Sequence, residues 1–155
     1  MKNILLLFTM SLLVFSNHIS AQETKMEAGE NVRIDQEVLN DQYLTGGTID
    51  VIARVHGDLI AAGGNINIHG KIDQDAIIAG GTVVAHGPIG DDLRMIGGKV
   101  TVEDSVKGDL LIVGGEILIS KTAVIEGSLH AYGGKITLEG TVGGAANVVL
   151  SCSVL

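Results

Sequence analysis

Cysteine is almost missing from this sequence. Cys152 is the only one, so no disulfide can form within the chain and stability has to come from packing. Proline is equally scarce, with one residue, and the 22 glycines do not fall at every third position, which excludes a collagen-like rod. Basic residues are few: 10 Lys and Arg against 18 Asp and Glu give a formal charge of -8. A nucleic-acid partner is excluded on that balance, because phosphate binding needs a basic surface. Tryptophan is absent and aromatics make up 3% of the chain, so no aromatic-centred core is available. Catalytic signatures are missing too. Ser20, Ser105, Ser120 and Ser128 lack a nucleophile-elbow context. The double glycines are not followed by the Lys-Ser/Thr pair of a phosphate loop, so neither a nucleotide nor another cofactor is expected. The chain reads as a non-enzyme.

Long apolar runs are confined to the start, MKNILLLFTMSLLVFSNHISAQ. Lys2 precedes an apolar stretch from Ile4 to Phe15, and Ala21 offers the small residue that a leader peptidase needs before its cut. That stretch is shorter than the roughly 20 residues that span a bilayer. Residues 1–21 are therefore expected to be an export signal, 22–37 a short polar tail, and 38–155 the folded domain.

What the chain does have is repetition. Between Ile60 and Gly87 the sequence reads IAAGGNINIHGKIDQDAIIAGGTVVAHG, nearly the same phrase twice, seventeen residues apart. Double glycines begin at Gly46, Gly63, Gly80, Gly97 and Gly114, and then at Gly133 after two extra residues around Lys121 to Val124. With Val55 as position one, that position is filled by Val38, Val55, Ile72, Ile89, Val106, Ile125 and Val142. Position four is aspartate five times running: Asp41, Asp58, Asp75, Asp92 and Asp109. Positions eleven to fourteen alternate, as in NINI, KVTV, EILI and KITL, which is strand periodicity.

Helical repeats are excluded by these glycines and by a period half of what a helix pair requires. One rung of a β-solenoid fits instead. The predicted fold is all-β, a single three-sided parallel β-helix of about seventeen residues per rung, with three short strands and three corners in each. At about 4.8 Å per rung, six to seven rungs make a rod on the order of 30 Å long. Gly-Gly is expected to supply positive φ and close chain approach at one corner, and Asp to bond its own turn at another.

The phrases VHGDLIAAGGNINIHGKI and VKGDLLIVGGEILI resemble the repeat of the bactofilin, or polymer-forming cytoskeletal, family over roughly residues 38 to 150. That resemblance implies a right-handed β-helix that assembles with itself, without nucleotide, into filaments or sheets near a bacterial envelope, where it organises cell shape or cell-wall proteins. The leader departs from the family's cytoplasmic habit. With such a leader, this chain is expected in the periplasm or on the cell surface.

Four features could carry function. Positions five and seven are apolar, so they are placed inside; positions six and eight then face out and still hold Ile60, Ile77, Ile96, Leu111, Val113 and Tyr132. Such a stripe is expected to be a self-association face, or a face on which a monomeric module docks an envelope protein or glycan. The last rung ends in Val148, Val149 and Leu150 and is expected to make an end contact through its unpaired strand edge. The Asp column reads as turn capping, with Ca²⁺ as the alternative. His69, His86 and Glu103 share position fifteen and read as surface, with Zn²⁺ as the alternative.

Overall fold

The computed structural model describes residues 25–151. The leader, residues 22–24 and Cys152 lie outside the described residues. No helix occurs among them; there are ten strands, β1 (Lys25–Ile34), β2 (Gln42–Val51), β3 (Leu59–Ile68), β4 (Ala76–Ala85), β5 (Leu93–Val102), β6 (Leu110–Ile119), β7 (Val124–Ile125), β8 (Leu129–Leu138), β9 (Thr141–Val142) and β10 (Ala146–Leu150). Eight of them form one sheet in the order β1-β2-β3-β4-β5-β6-β8-β10, and β7 pairs with β9. All the pairings are parallel, and each residue lies on the one seventeen places later, Leu59 on Ala76 and Ile66 on Val83, except between β6 and β8, where the offset is nineteen. The chain is a β-solenoid of about seven turns, about 17 residues per turn, as the repeat predicts.

Each rung is built differently from the three short strands expected. One ten-residue strand runs over two sides and bends at the double glycine, where only the second glycine drops out of register. The third side is reduced to single bridges, Val38 to Val55, Val55 to Ile72, Ile72 to Ile89 and onward, and to the two-residue pairing of β7 with β9. In β3 the buried residues are Leu59 and Ala61 before the bend and Ile66 and Ile68 after it. The spacing from Ala61 to Ile66 is odd, so the bend must reverse which parity faces inward, and the unpaired glycine does this.

Glycine is needed at that bend for space and not for backbone handedness. No described glycine has a positive φ, which corrects the expectation from sequence. A Cβ on Gly63 would stand 2.4 Å from the Gly46 carbonyl oxygen of the rung below. At Gly46, Gly97 and Gly133 the corresponding distances are 2.7, 2.9 and 2.6 Å, so a side chain there would force the stacked corners apart.

Inside, the columns that begin at Val55, Leu59, Ile66 and Ile68 are aliphatic and almost fully buried as far as β6. Each Ile or Leu so buried contributes about 1.5–3 kcal/mol. Two polar side chains break the pattern at one end. Gln42 occupies the position-five column and is 1% exposed, and Glu27 is half-buried in the position-seven column beside Leu44.

The segment read as a polar tail is a correction. Lys25–Ile34 forms β1 and pairs with β2 along its length. Val32 and Ile34 are buried at 6% and 5% exposure, so alternation in NVRI carries the rung although Gly29-Glu30 replaces the double glycine. The solenoid therefore starts before Val38. The two-residue insertion is absorbed in a turn where the Ala123 amide donates to the Ser120 carbonyl at 3.0 Å, and Glu116 returns to register on Lys135.

Candidate association surfaces

Strand parity places the six side-face residues together. In β3 to β8, positions six and eight point away from the core, and the parallel register stacks them: Ile60 on Ile77, Ile96 on Val113, Val113 on Tyr132. Ile60 is half-buried; Ile77, Ile96 and Tyr132 are 44%, 59% and 41% exposed, and Leu111 and Val113 are close to 40%. Arg94 and His130 interrupt the stripe in the position-six column. Sequence reading missed its N-terminal extension. Met26 and Tyr43 continue the column below Ile60, and Met26 is 75% exposed. The alternation of β1 was the available signal, hidden by its charged composition. Beside Tyr132 lies a shallow groove of about 250 Å³, walled by Asp92, Arg94, Asp109, Leu111 and His130.

The two ends of the rod differ. At the C-terminal end, β10 covers only the first half of β8, up to Gly133. Val148, Val149 and Leu150 are 43%, 51% and 60% exposed. Val148 continues an interior column above Ala131, while Val149 stacks on Tyr132 and so joins the side face. Leu138, at the open end of β8, is also exposed. This end is apolar and its backbone edge is bare among the described residues. The N-terminal end instead presents Glu27 and Gln42 in interior columns, an arrangement that discourages indiscriminate edge pairing.

The Asp column caps turns, but across rungs. The backbone N–H of Asp58 donates to the Asp41 Oδ1 at 3.0 Å, Asp75 to Asp58 at 3.1 Å, Asp92 to Asp75 at 3.1 Å and Asp109 to Asp92 at 2.7 Å. Ser128 closes the series on Asp109 at 2.7 Å. The expected bond within each residue's own turn is replaced by one to the next rung. Gly57 makes room for it, since a Cβ there would stand 2.3 Å from the Asp41 Oδ1. Asp75→Ala leaves the Asp92 amide without its acceptor and should cost about 1–3 kcal/mol, whereas Asp75→Asn keeps an acceptor and should cost less than half as much. Urea titrations of the two variants check the order; equal midpoints would refute the ladder's contribution.

The histidines at position fifteen stack face to face, His69 on His86, with centroids 4.5 Å apart and planes 5° off parallel. His86 Nδ1 lies 2.8 Å from a Glu103 carboxylate oxygen. Rings so stacked aim their nitrogens along parallel planes. Sharing one ion at about 2.0–2.1 Å would require both to rotate. Among the described residues no group of three His, Cys, Asp or Glu could hold a metal.

Most charged contacts on the remaining surfaces also cross rungs. Arg54 grips Asp73 through Nε and Nη2 at 2.9 and 3.0 Å. Lys71 and His56 reach the same carboxylate at 2.8 and 2.9 Å. The hydrogen bond from Arg54, then that from Lys71, lowers the Asp73 pKa to about 2. Lys135 meets Glu116 at 2.8 Å; each holds the other charged, lowering the Glu116 pKa and raising that of Lys135. Exposed pairs of this kind contribute little net stability.

No family model matches the chain, and neither a curated protein nor a solved structure is found to match it.

Proposed function

We propose that this chain is an exported structural rod that assembles with itself, without nucleotide, into filaments or sheets and serves as a scaffold at the cell envelope. The observation that carries the reading is the apolar C-terminal rung, whose strand edge is unpaired among the described residues. Such an edge pairs with another chain unless something covers it. The apolar side face supports the same reading, and its size sets its role. Eight strands at about 4.8 Å give a face about 38 Å long, and four residues of strand make it about 13 Å wide. Two such faces bury on the order of 1,000 Å², near the lower limit for a specific interface. One pair of rods holds weakly through this contact; rods already arrayed end to end hold through many contacts in series. End contacts form filaments, and side contacts join filaments into sheets. The bacterial setting and the independence from nucleotide rest on the resemblance to the bactofilin repeat.

A second reading has a specific observation behind it. The groove beside Tyr132 combines an exposed aromatic ring with Arg94, His130 and two carboxylates, a mixture suited to a glycan or an envelope protein. In this reading the rod is a monomeric docking module.

Electron microscopy of residues 22–155 over a concentration series separates the two. Filaments at high concentration are expected, together with sheets. Ile77→Lys combined with Leu111→Lys is expected to remove the sheets and leave the fold intact by circular dichroism. Isolated short rods at every concentration would sink self-assembly and leave the docking module.

A further inference from the structure

The side face carries a step. From β1 to β4 its position-eight column reads Ala28, Thr45, Ala62 and Ala79; in β5, β6, β8 and β10 it reads Ile96, Val113, Tyr132 and Val149. All eight of these residues are exposed. Short side chains fill one half of the column and tall ones the other, and the change falls midway along the eight-stranded sheet. Position six has no such step. It is bulky from Met26 and Tyr43 at one end to His130 and Asn147 at the other, with Arg94 just past the middle.

A column stepped in this way is its own complement. Turning a second copy by half a turn about an axis along the strands, midway between β4 and β5, lays each rung on the rung equally far from the middle. Ile96 then meets Ala79, Val113 meets Ala62, Tyr132 meets Thr45 and Val149 meets Ala28. Position six meets position six, Ile60 on Leu111 and Tyr43 on His130, so the separation of the faces is even from end to end. Two rods side by side in the parallel sense instead lay each rung on itself, and position eight meets position six. Ala62 lies on Ile60 towards one end but Tyr132 on His130 towards the other, and the thicker end wedges the faces apart. Close packing at an interface core requires an even fit. Charge selects the same orientation. Arg94 lies 2.9 Å from Asp92 and 3.7 Å from Asp75 of its own chain. In the antiparallel pair it lands over Ile77 of the second copy, beside that copy's Asp75. In the parallel pair it lands on Ile96, away from the second copy's aspartates. The two Asp columns share one edge of the antiparallel pair, where both Arg94 guanidinium groups stand between them and each Asp Oδ1 already accepts an amide.

We propose that the side face takes a second copy of this chain in antiparallel orientation, as a closed two-fold pair registered by the step in position eight. The proposal rests on the self-assembly reading given above. The buried area, on the order of 1,000 Å², suits a weak specific contact. A two-fold contact uses the same patch twice and saturates itself. This face alone therefore gives pairs, and sheets form where successive rods of a filament turn it to opposite sides.

Sedimentation equilibrium tests it on the mature chain carrying Val148→Lys, which puts a charge in an interior column at the C-terminal end and blocks end contacts. Two further changes, Ala62→Lys and Val113→Glu, fall at exposed positions, so the fold tolerates them. Each alone leaves an unpaired charge in the contact and is expected to raise the dissociation constant of the pair at least roughly tenfold. Combined in one chain, they bring the new ammonium of each copy onto the new carboxylate of the other. The constant is then expected to return to within about threefold of that of Val148→Lys alone. Within one chain the two sites are three rungs, about 14 Å, apart and cannot pair. In a parallel pair they never meet either, because Ala62 lies on Ile60 and Val113 on Leu111. A double variant that pairs no more tightly than the single ones therefore overturns the antiparallel orientation. Pairs that ignore both single changes overturn the use of this face. A chain that stays monomeric at every concentration overturns the side contact altogether, and the end contacts are then judged on their own in the chain without Val148→Lys.

Discussion

Replacing Gly70 with alanine is expected to lower the thermal midpoint by roughly 10 °C. A Cβ at this position would stand 1.9 Å from the Ala53 carbonyl oxygen and 2.5 Å from its carbon. Both atoms are backbone of the rung below, so no side chain can swing aside. The corner is also tied in place. The His69 and Gly70 amides both donate to the Val51 carbonyl, at 2.7 and 3.0 Å, and separating the rungs to admit a methyl group stretches both bonds. Forcing extra volume into a packed site costs about 1–3 kcal/mol; with backbone on both sides the upper value applies. In a chain of this length about 3 kcal/mol corresponds to roughly 10 °C. Gly29→Ala is the control, because its Cβ would find nothing closer than 3.7 Å and its φ is not positive. It should be neutral or stabilising by up to about 1 kcal/mol. Thermal melts followed by circular dichroism compare the two, and equal midpoints would remove close approach as the reason for the glycine corners.

The second large effect lies in the core. Ile78→Ala should cost about 3–4 kcal/mol, because Ile78 is 1% exposed and its rung is already the leanest. Ala76 and Ala85 share that rung, where the rung of β6 has Leu110 and Ile119. Small and large residues trade places between positions five and seven in three rungs, Leu59-Ala61, Ala76-Ile78 and Leu129-Ala131, while β5 and β6 hold large residues at both. The volume is shared between positions five and seven, so the two sites are coupled. Ala76→Leu alone overpacks and should cost about 1–3 kcal/mol. Added to Ile78→Ala, it should instead recover at least about 1 kcal/mol of the loss. Urea denaturation of the two single variants and the double closes the cycle; strictly additive costs would show that each column packs alone.

The fold was legible because a solenoid writes its geometry directly into the sequence. Stacking in register demands the same residue type at the same lap, so Val55, Ile72 and Ile89 announce a column without any tertiary information. Positions six and eight were legible as outward for the same reason. The first rung was less so. Glu27 stands where later rungs have aliphatic residues, and only Val32 and Ile34 betray the strand. Gln42 violates the rule of apolar interior positions at the same end. The Asp ladder could not be assigned its direction from sequence, since a carboxylate at position four serves its own turn or the next rung's with identical spacing. Nor could the glycine corners: a need for positive φ and a need for empty space select the same residue.

Parallel register at one lap per rung also makes the length of this molecule adjustable in whole steps. Every long-range pairing from β1 to β6 joins residues seventeen apart. Excising residues 72–88 would rejoin Lys71 to Ile89 with each column still in phase, shortening the rod by about 4.8 Å. Excising one residue more or fewer would turn the following strand's core face outward. Such a chain behaves as a ruler graduated in rungs: insertions and deletions of one lap change how far it reaches and leave both of its ends chemically as they were.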